Sequence, residues 1–213
     1  MATNTILFDL DGTLVDSANE ISVILNAMRK ERGLSALADT HFRQKISYGA
    51  GEIVKCSLPP TKESPQILIN EFRERYTALT IPKTSIYPTV VETLSVLKDR
   101  GIQLGICTNK PQNLCDNVLR DTELERFFSY VIAGRAQLQP KPHHESISLA
   151  MSDMDADTTT TVLVGDSTAD QRAAQSANIP FIFFAAGYDD GVDENQAFAS
   201  IEVMRELLKI NLF

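Results

Sequence analysis

The stretch 5-TILFDLDGTLVDS-17 begins as a buried strand and ends as something else. Ile6, Leu7 and Phe8 form a continuous apolar run, the pattern of a strand covered on both faces of a parallel sheet. Asp9 and Asp11 follow at once, and Gly12-Thr13 lead the chain away. Carboxylates at the end of such a strand are costly unless other groups meet them. The rest of the chain has to supply those groups.

Four more β-rich runs lie at 102–107, 129–133, 161–165 and 180–185. Helical patterns separate most of them, at 89–100, 111–120, 143–154 and 168–178. This alternation predicts an α/β fold, a Rossmann-like doubly wound parallel sheet. The interval between the first two strands is too long for one crossover. From 15 to 85 it reads as helices only, which predicts a small all-helical cap domain inserted after the first strand. The α/β core would then comprise 1–14 and 86–213, with the cap at 15–85. Within the cap, Ser17-Ala18-Asn19-Glu20 has a capping-box pattern, and Ile21, Ile24, Leu25 and Met28 follow at helical spacing up to Gly33. Further helices are expected at 40–46, 50–57 and 64–79.

Composition narrows the partners. With 28 acids against 20 bases the net charge is -8, and no basic run offers a footing for nucleic acid or an anionic membrane. Cys56, Cys107 and Cys115 lack metal-site spacing and read as free thiols in a reducing compartment. The start, Met1-Ala2-Thr3-Asn4, shows no leader pattern, and no apolar run nears the roughly 20 residues a bilayer span needs. A cytoplasmic location is expected. The oligomeric state is left open.

In open α/β sheets ligands bind beyond the carboxyl ends of the strands. The residues there are Asp9 and Asp11, then Thr108-Asn109-Lys110, and Asp166 and Asp170, with Lys141 between the third and fourth runs. Clustered carboxylates repel one another and raise one another's pKa. A divalent cation relieves that conflict, and an all-oxygen ligand set favours Mg²⁺ over zinc. Thr108-Asn109-Lys110-Pro111 opens a helix, with Pro111 expected in its first turn, where free N–H groups suit an anion. A carboxylate facing phosphorus there can act as a nucleophile, and a second can move protons. Lys141 would stabilise charge on a transferring phosphoryl group.

These segments resemble the haloacid dehalogenase-like hydrolase superfamily, whose four motifs occur here in order. They are Asp9-Leu10-Asp11-Gly12-Thr13, then Thr108-Asn109-Lys110, then Lys141 before Pro142, then Gly165-Asp166-Ser167-Thr168-Ala169-Asp170. The phosphoglycolate phosphatase-like branch is the better match, on "DLDGTLVDS", on 87-YPTVVETLSVLKDRGIQLGICTNKP-111 and on the helical insert. The resemblance implies a Mg²⁺-dependent phosphatase acting on a small phosphorylated metabolite. It implies Asp9 as nucleophile and Asp11 as general acid/base, with Thr108, Asn109 and Lys141 on the phosphate. It assigns the metal to Asp9, the main-chain carbonyl of Asp11, and Asp166, with Asp170 supporting it directly or through water. A β-phosphoglucomutase-like phosphomutase and a pyrophosphatase share this core and stay as alternatives.

Each residue also has a plainer reading. Asp170 falls in a helix's first turn, where an acid is favoured anyway. His143 and His144 read as surface residues at a helix start. Arg43, Lys45 and Lys55 are cap bases that would either meet a substrate carboxylate or line a solvated helix face.

Overall fold

The computed structural model describes residues 4–60 and 62–210. Met1, Ala2 and Thr3, on which the absence of a leader was read, lie outside them. Six parallel strands form one sheet in the order β3-β2-β1-β4-β5-β6. They are β1 (Thr5–Phe8), β2 (Gln103–Pro111), β3 (Tyr130–Gly134), β4 (Thr161–Gly165), β5 (Phe181–Phe184) and β6 (Ala199–Ile201). The doubly wound α/β expectation is met. The sixth strand has no counterpart among the expected runs, because three residues at a sheet edge carry too little pattern to detect.

β1 is central, paired in register with β2 on one side and β4 on the other. Its apolar run serves both faces. Ile6 and Phe8 join one core, while Leu7 joins the other with Cys107, Leu163 and Phe183. Helices α5 (Val90–Asp99) and α6 (Gln112–Thr122) cover the first face, and α7 (Glu145–Asp153) and α8 (Thr168–Ala177) the second.

Four helices fill the interval between β1 and β2: α1 (Ala18–Glu31), α2 (Thr40–Ile46), α3 (Ala50–Ser57) and α4 (Pro65–Thr77). The chain leaves and re-enters the sheet side by side, since Asp16 N–H donates to Ser85 O and Tyr87 N–H to Leu14 O. α1 closes at Gly33 (φ 71°), where only glycine adopts this conformation without strain.

The capping box expected at Ser17 is absent. The Ser17 hydroxyl donates to Asp11 Oδ1 at 2.5 Å, and its N–H donates to the Tyr188 hydroxyl at 2.9 Å. The N–H that a capping box would give to Glu20 is thus taken by Tyr188, and the hydroxyl is turned toward Asp11. A capping box does form at Ser167 and Asp170. Pro111 is also displaced from expectation. It caps α6 from outside and pairs with Gly134 at the end of β2.

Candidate active site

The polar residues of the four motifs converge at the carboxyl edge of β1, β2 and β4. Asp9, Asp166 and Asp170 form a buried cluster whose nearest carboxylate oxygens all lie within 4.8 Å of one another. Close backbone approach makes this packing workable. A Cβ on Gly12 would fall 2.2 Å from Asp166 Oδ2, and one on Gly187 would fall 2.2 Å from Asp166 Cβ. The glycine that follows the two aspartates therefore makes room for the fourth motif, besides turning the chain at φ 89°.

Lys141 enters from the loop before α7 and is fully enclosed. Its Nζ donates to Asp170 Oδ1 at 2.5 Å and to the carbonyl of Cys107 at 2.8 Å. It also stands 2.8 Å from Asp9 Oδ1, a close ion pair without hydrogen-bond geometry. Asp170 does both jobs that its position allowed. Its Oδ2 accepts from the Ser167 N–H and hydroxyl, capping α8, while Oδ1 pairs with Lys141. Asp166 accepts from the Thr13 hydroxyl at 2.7 Å and the Tyr188 N–H at 2.8 Å.

Three carboxyl groups face one ammonium in this cluster. Burial pushes Asp9 up to about 7, against the pull of Lys141. Burial, then the charges of Asp170 and Asp9, raise Asp166 well above the ordinary carboxylate range. Such a buried, oxygen-only, electron-rich site fits a hard dication. Asp9, Asp166 and Asp170 are the residues whose side chains would hold it.

Asp11 faces elsewhere. Both its oxygens lie 3.0 Å from Lys110 Nζ, and Oδ1 also accepts from Ser17. Lys110 donates in turn to the hydroxyl of Tyr76, on α4, at 2.9 Å. Burial favours the neutral amine of Lys110, yet Asp11 and Tyr76 outweigh it and raise the lysine above its usual range. Sequence reading did not single out Lys110, which passed as the last letter of a motif. Its place beside a buried carboxylate follows from β2 lying next to β1, and its second partner, Tyr76, comes from α4.

Thr108 is buried at the same edge, its hydroxyl accepting from the Lys110 N–H. The Asn109 side chain is fully engaged with main chain. It donates to the carbonyls of Ser47 and Lys141 and accepts from the Lys141 N–H. This side chain ties the end of α2 to the lysine loop, leaving it no free donor for phosphate. The cap bases are likewise placed. Arg43 pairs with Asp16 at 2.9 Å and lies over the Tyr188 ring, Lys55 pairs with Glu52 at the surface, and Lys45 is exposed. His143 and His144 are exposed and stacked on each other. All three cysteines are free thiols.

A cavity of about 30 Å³ lies between the sheet edge and the inserted helices. Asp9, Asp11, Thr108 and Lys110 line it on one side, and Ile21, Ile46, Ile53 and Phe72 on the other.

A family model for haloacid dehalogenase-like hydrolases matches residues 6–184. This chain belongs to the haloacid dehalogenase-like hydrolase family. It is 32% identical over 191 residues to a phosphoglycolate phosphatase of Caulobacter vibrioides, covering 87% of this chain and 81% of that one. It is 30% identical over 212 residues to phosphoglycolate phosphatase 1 of Pseudomonas aeruginosa, covering 95% and 78%. Among solved structures, a haloacid dehalogenase-like family hydrolase of Streptococcus pneumoniae superposes with a TM-score of 0.85 at 21% identity, covering 97% of each chain. CbbY of Rhodobacter sphaeroides, solved with phosphate, superposes with a TM-score of 0.79 at 20% identity, covering 97% and 96%. The phosphoglycolate phosphatase-like branch and the enzyme class read from the motifs are both upheld. No helix among the described residues is long and apolar enough to cross a membrane.

Proposed function

We propose that this protein is a Mg²⁺-dependent phosphatase that hydrolyses a small phosphate monoester, with phosphoglycolate the leading candidate, through an aspartyl-phosphate on Asp9. One observation carries the reading. Asp9 is the one residue that belongs both to the three-carboxylate cluster and to the wall of the cavity. A nucleophile for phosphorus has to stand at that junction.

In the first half-reaction Asp9 attacks phosphorus. A carboxylate O–P bond forms, the ester P–O bond breaks, and Asp11 gives a proton to the leaving alkoxide. In the second, Asp11 takes a proton from water, the water oxygen attacks phosphorus, and Asp9 is released with phosphate. Thr108 holds a phosphoryl oxygen throughout, and Lys141 balances charge from behind Asp9. Asp9, Asp166, Asp170 and the main-chain carbonyl of Asp11 would hold Mg²⁺, which when bound would supply positive charge for the phosphoryl oxygens.

Residues 15–85 act as the cap over a core of 1–14 and 86–213. With about 30 Å³ between them, the cap has to swing at its two linkers to admit a substrate. Closure then excludes water while the phosphoenzyme forms. The polar contacts of Asn109 with Ser47 and of Tyr48 with Thr168, 2.6 Å between hydroxyls, hold the closed state.

The test is a panel with Mg²⁺ containing phosphoglycolate, sugar phosphates, nucleotides and pyrophosphate, on the native chain and on Asp9→Asn. Release of inorganic phosphate that disappears in Asp9→Asn is expected. Undiminished turnover in the variant, or conversion of a hexose 1-phosphate to its 6-phosphate instead, overturns the reading.

A further inference from the structure

The cavity wall contributed by the inserted helices is almost entirely apolar. Among all the residues that line the cavity, Lys110 is the one cation. Lys141 is enclosed behind Asp9, and the cap bases Arg43, Lys45 and Lys55 are not in the lining. Whatever extends from a phosphoryl group into this space therefore meets a single positive charge.

That charge already holds a carboxylate. Lys110 Nζ stands 3.0 Å from each oxygen of Asp11, and donates to the Tyr76 hydroxyl. Burial raises the Tyr76 pKa, so its phenol keeps a proton to donate. Lys110 and Tyr76 together make a receptor with two donors for a carboxylate. Both Asp11 oxygens are meanwhile engaged by Lys110, one of them also by Ser17. Asp11 has to surrender one of these contacts to reach a leaving oxygen.

We propose that Lys110, with Tyr76, is the specificity-determining receptor for a carboxylate on the leaving group, and that this carboxylate takes the place of Asp11 on Lys110. The inference rests on the phosphatase reading above. It names the substrate class as short phosphomonoesters with a carboxylate close to the ester oxygen. Exchange keeps the buried ammonium paired at every stage, which an uncharged leaving group cannot do. An uncharged ester must either pull Asp11 away from Lys110 without compensation or react with Asp11 still held.

The experiment compares kcat/KM for phosphoglycolate and for 2-hydroxyethyl phosphate, which has the same two-carbon skeleton without the carboxylate. The full chain is assayed with Mg²⁺, alongside Lys110→Met and Lys110→Gln. A charge-assisted contact predicts a preference for the carboxylated ester on the order of 10–100-fold in the native enzyme. That ratio falls to near unity in both variants, whatever their absolute rates. A native ratio near unity, with both esters hydrolysed, overturns the proposal without needing a folded variant. So does a ratio that survives either substitution, which would make Lys110 a holder of phosphate or of Asp11 alone. Hydrolysis of neither ester, with phosphate released from another member of the panel, overturns this inference and leaves the phosphatase reading standing; release from no ester overturns both.

Discussion

The site contains two buried lysine–aspartate pairs, and they are built differently. Lys141 joins Asp9 and Asp170, and all three residues come from the α/β core. Lys110 joins Asp11 to Tyr76, so its pairing spans the core and the inserted helices. The first pair sits inside the carboxylate cluster and does not line the cavity except through Asp9. The second faces the cavity directly. One pair is therefore suited to fixed electrostatics, and the other to groups that exchange partners.

Replacing the two aspartates separates these roles most sharply. Asp11→Asn is expected to lower kcat by about 10²–10⁴-fold on an alkyl phosphate, the usual worth of positioned acid–base catalysis. The loss should shrink on 4-nitrophenyl phosphate, whose leaving group needs little protonation. Asp9→Asn should be inactive on both. Steady-state and burst kinetics on the two esters check this. Equal loss for Asp11→Asn on both esters would mean that Asp11 is needed for something other than moving protons.

Lys141→Met sharpens the comparison from the stability side. It leaves Asp9 and Asp170 buried without their cation. Breaking a buried pair from one side costs about 3–5 kcal/mol. Urea denaturation of the metal-free variant should show that loss, and Mg²⁺ should restore part of it. A variant as stable as the parent would show that Lys141 contributes no net stabilisation to the cluster.

The polar residues of the carboxyl edge were legible in the sequence, and the hydroxyl that reaches them from the inserted helices was not, for a physical reason. Asp9, Asp11, Lys110, Asp166 and Asp170 lie at or near strand ends, where the parallel-sheet rule gathers polar residues at one edge. The strand runs themselves are plain, because Ile6, Leu7 and Phe8 are buried on both faces. Tyr76 lies in a helix whose burial pattern says only that one face is covered. Nothing local reports that its hydroxyl meets Lys110. Ser17 misled for the same reason. Its spacing to Glu20 fits a capping box, but Asp11 and Tyr188 are stronger claimants for its polar groups. Asn109 was placed correctly at the edge, and its partners on α2 and the lysine loop could be known only from the fold.

The smallest predicted effect tests whether the core cluster is a metal site at all. Without metal, burial raises the Asp9 carboxyl from an ordinary value of 3.8 to about 7, and Asp166 shifts in the same direction. A raised acid binds its proton more readily in the folded protein than in the unfolded chain. Between about pH 4 and pH 7 the folded state therefore holds more protons, and stability from these groups falls as pH rises through that window. Above it the Asp9 carboxyl is ionised, and a dication gains its attraction. The metal-free protein should lose Tm between pH 5 and pH 7.5 where the Mg²⁺-loaded protein does not. The Tm increment from Mg²⁺ should therefore grow with pH, by about 2–4 °C for each kcal/mol of linkage in a chain of this size. Calorimetry at fixed ionic strength, with and without EDTA, measures both limbs. A Mg²⁺ increment that is flat across this range would show that binding does not displace protons from Asp9 and Asp166, and the cation would then have to sit outside the three-carboxylate cluster.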